Sequence, residues 1–433
     1  MNIRTIVKRV VPRRLFASIE PAGHLAEAVF WNVLYGFPGR GLKVIGVTGT
    51  NGKTTTSFLI HKMLIEAGHS AGLMTTVGYG VGADIAPQIH HMTSVSPREL
   101  MKRLKVMKAQ GMDWLVLETT SHALAQHRVW GVPYSIAVLT NITHEHLDYH
   151  KSFDRYAAAK RSLFRLAQKN TAGRQLGIVN ADDQYGASFA TETENNVSYG
   201  IEAGDIRATN IELSASGIRY TAEASDATYH IVSSLAGSFN VYNTLAAICA
   251  GRALGLSTQQ IEQGITALKN VEGRMTVVDE GQDFAVLVDF AHTPDSFEKL
   301  LGDLRPIVKG KLIVLFGSAG RRDEAKRAIQ GEIAGRHADE VILTEEDDRD
   351  CDGVAIMEDI ASGAARSGKT KNKDLFLVHN RVEAIAFAVG RAHSSDDTVL
   401  LLGKGHEKTI ERADGEHPWD EVGTTRDALQ NLN

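Results

Sequence analysis

The feature of this sequence that most constrains its fold is the glycine-rich stretch VIGVTGTNGKTTT at residues 44–56. Residues 43–47 have the apolar composition of a short buried strand, and residues 57–67 have the apolar spacing of a helix. A strand, a glycine-rich turn and a helix N-terminus form a phosphate cradle, because backbone N–H groups converge on the anion and the helix dipole favours its charge. The stretch therefore predicts a site for a nucleotide phosphate.

The residue types in this stretch predict ATP and Mg²⁺ as ligands. Gly49 and Gly52 allow a close approach of the backbone, the Lys53 side chain reaches the β- and γ-phosphates, and the Thr54 hydroxyl can bind Mg²⁺. The strict Walker spacing is not met, because Val47 stands five positions before Gly52. The alternative is a glycine-rich connection that binds no ligand. This alternative is the weaker one, because a Gly-Lys-Thr sequence between a strand and a helix is typical of phosphate binding.

Composition argues against several classes of protein. At 433 residues the chain is long enough for about three domains. A net charge of −5 argues against a dedicated nucleic-acid binder. No apolar run reaches the ~18 residues of a membrane span. The two cysteines, Cys249 and Cys351, suggest neither a disulfide framework nor a metal-binding pair, so we expect a cytoplasmic protein with Cys249 as a small core residue.

Residues 1–42 are expected to form a short N-terminal segment. Their basic start lacks the apolar region and cleavage site of a secretory signal, and we interpret it as a solvated helix rather than an arm for an anionic surface. The aromatic-rich stretch AEAVFWNVLYGF at residues 26–37 is expected to pack within the chain. A second subunit is the alternative partner for this stretch and would make the protein an oligomer.

Alternating strand and helix patterns predict a doubly wound parallel α/β fold. We expect residues 43–273 to form a P-loop-type central ATPase domain with an antiparallel annex at residues 196–234. Residues 274–433 are expected to form a C-terminal Rossmann-like α/β domain, joined by a hinge at residues 269–275. The strands predicted for this second domain are residues 284–290, 311–316, 340–344, 375–378 and 398–402.

Polar residues follow two predicted strands of the central domain. Glu118 ends the strand at residues 114–118, and Asn141 follows the strand at residues 134–140. Because the carboxyl ends of parallel strands meet at one edge of a sheet, both are expected near the phosphate loop.

A run of ionisable residues after Asn141 raises the possibility of a metal site. Its members are His144, Glu145, His146, Asp148 and His150. The run lacks cysteines and the i, i+4 histidine pair of a helical zinc site. Beside a phosphate loop, oxygen ligands with one imidazole suit Mg²⁺ better than zinc. Any single histidine here is equally interpretable as a hydrogen-bonded loop residue.

Lys160 lies on the next predicted helix, at residues 156–167. It faces inward if Ala157, Leu163 and Phe164 mark the core side of that helix. A buried lysine pairs with a carboxylate or has a shifted pKa.

Four polar segments follow strands of the second predicted domain. They are DFAHTP at residues 289–294, GSAGRRD at 317–323, TEEDDRD at 344–350 and GKGHE at 403–407. Glycine turns with charged groups at equivalent strand ends are typical of a site for a small zwitterion.

Taken together, these motifs resemble those of the Mur ligases, and among them the muramoyl-tripeptide synthetase (MurE) type. The matching segments are GVTGTNGKTTT, ETTSHAL, TNITHEHLDYH, YAAAK, GSFNVYN, GRM, DFAHTPD and GKGHE. The resemblance implies ATP-dependent amide-bond formation in peptidoglycan precursor synthesis. A substrate carboxylate attacks the γ-phosphate of ATP to give an acyl phosphate, and an incoming amine then displaces the phosphate.

The resemblance also implies roles for individual residues. Lys53, Lys160 and His146 are implied to be catalytic, and Lys160 matches a carbamylated lysine that serves a second Mg²⁺. The implied metal ligands are Thr54, Glu118, His146 and Lys160. The implied ATP-binding residues are Thr48, Gly49, Thr50, Asn51, Gly52, Lys53, Thr54, Thr55, Asn243, Arg274 and Asp289. The implied substrate-binding residues are Thr93, Ser94, Thr120 and Arg128 for the acceptor peptide, and Arg349, Gly403 and Glu407 for the amino acid.

Three departures from the family pattern affect what the resemblance implies. The usual N-terminal UDP-binding domain is expected to be missing, so the acceptor is held differently, by a second subunit, or carries no UDP. The loop that reads Asp-Asn-Pro-Arg in diaminopimelate enzymes is here Glu346-Asp-Asp-Arg349, whose added acids favour a cationic side chain such as that of diaminopimelate or lysine. Its arginine can clamp a carboxylate. Glu145 replaces an aspartate but leaves His146 in register.

Two alternatives remain at this point. A cyanophycin- or poly-glutamate-type amide ligase would use an acceptor without UDP. A nucleotide-binding regulator without turnover is disfavoured, because Lys160, Glu118 and His146 are all present.

Overall fold

The computed structural model describes residues 13–88, 95–143, 145, 147–214 and 217–432, without the side chains of residues 13–21, 147 and 148. The described residues form two compact units. The first comprises Met1–Thr209, Ala222–Tyr229 and Tyr242–Ala267, and the second comprises Asn210–Thr221, His230–Val241 and Leu268–Asn433, in each case as far as they are described.

The strands of the first sheet, β1–β11, are followed in sequence by those of the second, β12–β17, and by the hairpin of β18 and β19. Their bounds are β1 (Lys43–Thr48), β2 (Ala71–Met74), β3 (Gly78–Val81), β4 (Asp84–Pro87), β5 (Trp114–Glu118), β6 (Tyr134–Leu139), β7 (Leu176–Asn180), β8 (Asn195–Gly200), β9 (Ile206–Ser214), β10 (Gly217–Ala224), β11 (Thr228–Ser233), β12 (Thr276–Val277), β13 (Ala285–Asp289), β14 (Leu312–Phe316), β15 (Glu340–Leu343), β16 (Leu375–Leu377), β17 (Thr398–Leu402), β18 (Thr409–Arg412) and β19 (Gly415–Pro418).

Helices connect most of the parallel strands. Those in the described residues are α1 (Arg13–Leu34), α2 (Lys53–Glu66), α3 (Pro97–Ala109), α4 (Ser121–Ala125), α5 (Leu147–His150), α6 (Phe153–Lys169), α7 (Gly186–Ala190), α8 (Phe239–Leu254), α9 (Thr258–Ala267), α10 (Pro294–Leu304), α11 (Ala325–His337), α12 (Gly353–Arg366), α13 (Arg381–Val389) and α14 (Glu421–Gln430). None of these helices combines the length and apolar character that crossing a membrane requires.

The first sheet has a parallel centre. Within the described residues its strand order is β11-β10-β9-β8-β7-β6-β1-β5-β2-β3-β4. β1 pairs in parallel with β5 and β6, which places the carboxyl ends of these strands at one edge of the sheet. β1, β5 and β6 are almost continuously buried because helices cover both faces of a parallel sheet. The predicted doubly wound α/β fold is confirmed.

The second sheet has the order β12-β13-β17-β14-β15-β16. Its centre is parallel, β12 pairs antiparallel at one edge, and β18 and β19 form a separate hairpin. The strands predicted for the C-terminal domain are all present. Two apolar clusters flank the sheet; one includes Phe297, Phe316 and Ile360, and the other includes Ile385 and Trp419.

Some local predictions were wrong. α2 begins at Lys53 rather than at residue 57. The first turn contains the β-branched residues Thr54–Thr56, whose weak intrinsic helix propensity hid the start of the helix from the sequence pattern. The annex at residues 196–234 is not wholly antiparallel, since β8 pairs in parallel with both β7 and β9. The expected role of Cys249 as a small core residue is confirmed by its burial in α8.

Candidate functional site

The phosphate loop joins β1 to α2 and has a backbone that only glycine adopts readily. Gly49 has φ of 150° and Gly52 has φ of 80°. A Cβ atom at residue 49 would overlap the Thr140 hydroxyl, and one at residue 52 would overlap the Asn243 side chain. Among the described residues no side chain caps α2. The N–H groups of its first turn are therefore suited to an anion.

Side chains at the end of β6 fix the shape of this loop. The backbone N–H of Thr50 donates to the carbonyl of Asn141 at 2.8 Å, and that of Asn51 donates to the Asn141 side chain at 2.9 Å. The Thr140 hydroxyl donates to the carbonyl of Asn51 at 2.6 Å. The expected proximity of Asn141 to the loop is confirmed. Because these bonds fix the shape of the loop without a ligand, the loop is preorganised to bind one.

Most of the predicted ATP-binding residues of the first unit lie in or against this loop. Lys53 Nζ donates to the carbonyl of Thr50 at 2.7 Å, which lays its cation along the loop. Thr48 and Thr55 are buried on either side of it. Asn243, on α8, is buried and accepts a hydrogen bond from the Thr56 hydroxyl at 3.3 Å.

Two oxygen donors suited to Mg²⁺ meet at the edge of the loop. The Thr54 hydroxyl donates to Oε2 of Glu118 at 2.9 Å, and the same oxygen accepts from the N–H of Thr76 at 3.0 Å. Glu118 is 2% exposed. A carboxylate and a hydroxyl are hard ligands of the kind that Mg²⁺ prefers, so these residues fit the ion. No group of three or more His, Cys, Asp or Glu side chains suited to a metal forms among the described residues. The predicted ligand His146 lies outside them, as does His144.

Lys160 lies behind the loop and is 2% exposed. The inward direction predicted for it is confirmed. Its Nζ donates to the carbonyl of Gly49 at 2.5 Å and stands 4.7 Å from the centre of the Tyr156 ring. Burial, and next the positive charge of Lys53, hold the pKa of Lys160 well below its ordinary value. The amine therefore loses its proton easily, and the neutral amine is the form that reacts as a nucleophile.

Tyr156 was missed by the sequence analysis as a residue of the site. Its hydroxyl lies 2.9 Å from the Thr50 hydroxyl, in the middle of the phosphate loop. Burial, reinforced by the carboxylate of Glu145, raises its pKa well above the ordinary value, so the phenol stays protonated. Its position four residues before Lys160 on α6 was the available signal, since residues at that spacing share one face of a helix.

Residues predicted to bind the acceptor peptide are only partly described. Arg128 lines a small cavity beside Glu118, and Arg103 lies in the same wall. Thr120 caps α4 by accepting a hydrogen bond from the N–H of Ala123 at 3.2 Å. Thr93 and Ser94 lie outside the described residues.

In the second unit, the buried Asp289 and the partly buried Arg274 belong to one cluster. Asp289 accepts hydrogen bonds from the N–H groups of Met275 at 2.8 Å and Ala291 at 2.7 Å. Burial raises its pKa above the ordinary value, although Arg274 opposes this. The Arg274 guanidinium lies 4.8 Å from the Phe290 ring centre. Of the predicted nucleotide-binding residues, these two are thus brought close to each other.

The segments TEEDDRD and GKGHE also meet in the second unit. Lys404 is fully buried, and its Nζ lies 2.9 Å from Asp347 and 2.6 Å from Glu407. Although burial favours the neutral amine, the carboxylates of Glu407 and Asp347 raise the pKa of Lys404 above its ordinary value. The Gly403 backbone lies against the Glu346 carboxylate. The strand-end placement predicted from the sequence therefore assembles a charged site.

Arg349 is less accessible to a substrate than its sequence motif suggests. Its Nε donates to Oε2 of Glu411 at 2.7 Å, and its Nη1 donates to the carbonyl of Gly320 at 2.6 Å. Glu411 belongs to β18, in the hairpin that the sequence analysis missed because its strands are short and polar.

Known protein families match both halves of this arrangement. The Mur ligase middle domain matches residues 47–251, and the Mur ligase, glutamate ligase domain matches residues 273–405. A UDP-N-acetylmuramyl-tripeptide synthetase of Roseiflexus sp. (strain RS-1) is 40% identical over 428 residues, which cover 95% of this chain and 83% of the relative. The chain belongs to the Mur ligase family. It is therefore an ATP-dependent ligase of the acid–amino-acid type.

Further comparisons place this Mur ligase near the tripeptide-forming members. A UDP-N-acetylmuramoyl-L-alanyl-D-glutamate–2,6-diaminopimelate ligase of Bacillus velezensis is 37% identical over 412 residues, covering 94% of this chain and 82% of the relative. A solved structure of a ligase with the same name has a TM-score of 0.64 and 30% identity, over 91% of this chain and 79% of the other. The resemblance inferred from the motifs is confirmed.

Proposed function

We propose that this Mur ligase joins an amino acid bearing a side-chain amine to the terminal carboxylate of a UDP-muramoyl dipeptide, at the expense of ATP. The observation that carries the proposal is the grouping of Lys160, Thr54 and Glu118 around a preformed phosphate loop. Identity of 40% to a tripeptide synthetase over almost the whole chain supports this acceptor over the poly-glutamate alternative.

In the first step the acceptor carboxylate attacks the γ-phosphorus of ATP, and the bond to the bridging oxygen of ADP breaks. Negative charge grows on the transferring phosphoryl group. Lys53, which lies along the loop, and the uncapped N–H groups at the start of α2 would stabilise that charge. The product is an acyl phosphate.

Mg²⁺ would be held by Thr54 and Glu118, with His146 as the further ligand predicted from the sequence. When bound, the ion neutralises phosphate charge. The protein supplies a rigid carboxylate, because Glu118 is also held by the N–H of Thr76 at 3.0 Å.

Lys160 is proposed to be carbamylated. Its unprotonated Nζ would add to the carbon of CO₂, forming an N–C bond and releasing a proton, so a buried amine becomes an anion. Burial of that amine and its depressed pKa support the reaction. The resulting carbamate would serve a second Mg²⁺, in line with the role of this lysine in the family.

In the second step the incoming amine attacks the acyl carbon, and inorganic phosphate leaves from the tetrahedral species. Arg349, Gly403 and Glu407 are proposed to hold the amino acid. Thr93, Ser94, Thr120 and Arg128 are proposed to hold the acceptor. Asn243, Arg274 and Asp289 are proposed to contact the nucleotide.

Domain limits at residues 43–273 and 274–433, and an oligomer through the N-terminal segment, stay predictions.

The test is phosphate release from ATP and Mg²⁺ with a panel of acceptors. UDP-muramoyl dipeptide, the same peptide without UDP, and simple dipeptides are each supplied with lysine or diaminopimelate. We expect turnover with the UDP-linked acceptor and its loss in Lys53→Met, with Lys62→Met on the same helix as the matched control. Turnover only with acceptors that lack UDP would overturn the assignment of the acceptor.

A further inference from the structure

The cavity beside Glu118 has walls that come from two separate parts of the first unit. Leu100 and Arg103, on α3, belong to one wall, and Arg128 and Val129, in the turn that follows α4, belong to the other. Among the described residues, none of those that line the cavity lies on the N-terminal helix α1. Nevertheless, α1 contacts both α3 and the turn, so it lies behind the two walls.

The turn at residues 127–131 carries the chain from α4 towards β6. His127 has φ of 51° and Gly131 has φ of 81°, and the left-handed conformation is unfavourable for a histidine. Within the turn, the N–H of Arg128 donates to the carbonyl of Ala123 at 2.9 Å, and that of Trp130 donates to the carbonyl of His127 at 3.0 Å. The carbonyl of Trp130 has its partner on α1.

That partner is Asn32, close to the end of α1 and 1% exposed. Its Nδ2 donates to the carbonyl of Trp130 at 2.7 Å and to that of Ala28, one helical turn earlier, at 3.3 Å. Since both partners are carbonyls, which only accept, they fix the orientation of the amide. Gly131 lies so near that a Cβ atom added to it would come within 2.6 Å of the Asn32 Oδ1 atom. Asn32 therefore determines where the turn lies relative to α1.

α1 and the loop after it also contact the wall that α3 provides. The Arg98 guanidinium, in the first turn of α3, lies 5.2 Å from the centre of the Trp31 ring. Trp31 packs against the apolar cluster that contains Leu100. In the loop after α1, a Cβ atom added to Gly39 would come within 3.0 Å of the Pro133 ring, just beyond the turn. These contacts connect the two walls of the cavity through α1.

We infer that Asn32 is a positioning residue for the acceptor. By holding the carbonyl of Trp130, it fixes the turn that presents Arg128 to the cavity, which makes α1 part of the frame of the acceptor site. The inference rests on the proposed function, since it takes Arg128 to bind the acceptor. If Asn32 only stabilised the fold, its loss would change no kinetic constant of the acceptor selectively.

Steady-state kinetics of Asn32→Ala in the complete chain test the inference. The variant removes the donor and raises the intrinsic helix propensity of α1, so its effect does not come from a weaker helix. We expect KM for the acceptor to rise roughly three- to tenfold, the loss of one hydrogen bond, with kcat and KM for ATP within about twofold of the wild type. Val33→Ala shortens the neighbouring side chain, which is 57% exposed, and should leave all three constants unchanged. A fall in kcat with an unaltered KM for the acceptor would overturn the inference.

A double mutant distinguishes an effect through Arg128 from a general loosening of the site. In an Arg128→Ala background the group that the turn presents is absent, so adding Asn32→Ala should lower kcat/KM for the acceptor by less than about twofold. An equal fold-change in both backgrounds would show that Asn32 acts on something other than Arg128. Asn32→Leu, close in size to asparagine but without a donor, replaces Asn32→Ala in the same comparison if that variant does not fold.

Failure of the proposed function has a different signature, namely no ligation with any acceptor. Hydrogen exchange followed by mass spectrometry then tests the role of Asn32 without turnover. Peptides that contain the amides of Arg128 and Trp130 should exchange several-fold faster in Asn32→Ala than in the wild type, whereas peptides of the phosphate loop should not change. Unchanged exchange at residues 128–132 would overturn the inference, whether or not the enzyme is active.

Discussion

Lys160 is the residue whose surroundings say most about the chemistry. Its amine is buried behind the phosphate loop. Burial and, next, the positive charge of Lys53 lower its pKa, and the carboxylates of Glu145 and Glu118 oppose them less strongly. The environment of Lys160 therefore favours the neutral amine, which is the form that carbamylation requires.

We expect Lys160→Ala to lower the rate of ligation by on the order of a hundredfold or more, since an anion that helps to neutralise the transferring phosphate would be lost. Short carboxylic acids should restore part of the activity by occupying the space of the carbamate. Phosphate release measures both effects. Lys169→Ala, at an exposed position of the same helix, is the control. A fully active Lys160→Ala, or one that no acid rescues, would contradict the carbamate.

At the scale of elements, the β-strands show what the sequence can and cannot predict. β5 matches its predicted limits, because parallel strands buried on both faces read as unbroken apolar runs. β3 and β4 are only four residues long, and one of them is mostly exposed, so they leave little apolar signal. Short polar elements are recognisable only once their partners are known.

The candidate site likewise contains residues that the sequence predicts and residues that it does not. The phosphate loop, Glu118 and Lys160 were predictable because their chemistry is local or follows from strand ends. The pairing of Arg349 with Glu411 was not, since it joins residues 62 apart through a hairpin that the sequence does not signal. Charge compensation over such distances depends on tertiary packing.

A fully buried ion pair holds α13 and α14 at the end of β17. Arg381 and Glu421 are both unexposed and meet at 2.6 Å, and Arg381 also donates to the carbonyl of Leu402 at 2.8 Å. Trp419 donates to Glu421 at 2.7 Å. Leu402 directly precedes the GKGHE segment, so this pair supports the proposed amino-acid site.

We expect Glu421→Gln to lower the free energy of unfolding by about 3 kcal/mol, because it removes the main counter-ion of the buried Arg381 charge. Urea titration followed by tryptophan fluorescence measures the change. Glu383→Gln on α13 should shift the midpoint little. A Glu421→Gln variant as stable as the wild type would mean that the neighbouring carboxylates compensate Arg381.

His61, on α2, makes the stability of the first unit depend on pH. Burial is the main cause that lowers its pKa to about 4 from an ordinary 6.5. At pH values between 4 and 6.5, His61 therefore binds a proton in the unfolded chain but not in the folded one. The free energy of unfolding consequently falls as the pH drops from 6.5 towards 4. Between pH 7 and pH 5 this amounts to about 2 kcal/mol.

We expect His61→Gln to remove that share of the acid sensitivity, so that its free energy of unfolding declines about 2 kcal/mol less than that of the wild type from pH 7 to pH 5. Urea titrations at the two pH values give the comparison. His69→Gln, at an exposed position just after α2, should retain the wild-type dependence. Parallel losses in the wild type and His61→Gln would show that His61 titrates normally.

For the whole molecule, the two chemical steps are proposed to depend on residues of different units. Phosphoryl transfer to the acceptor is proposed to depend on Lys53 and Lys160 in the first unit, and capture of the amino acid is proposed to depend on Arg349 in the second. Because the acyl phosphate forms before the amine attacks, a variant that fails only to bind the amino acid should still make it. The two steps are therefore separable by mutation.

We expect the wild type, given ATP and acceptor but no amino acid, to form a hydroxamate when hydroxylamine is added as a small nucleophile. Arg349→Ala should form it at a rate within about twofold of the wild type, while its ligation of the amino acid at low amino-acid concentration falls on the order of tenfold or more. Lys53→Met should lose both reactions, and Glu383→Gln should lose neither. Equal loss of hydroxamate and ligation in Arg349→Ala would mean that Arg349 acts before the amino acid enters. Hydroxamate formation by Lys53→Met would place the charge that drives phosphoryl transfer elsewhere in the chain.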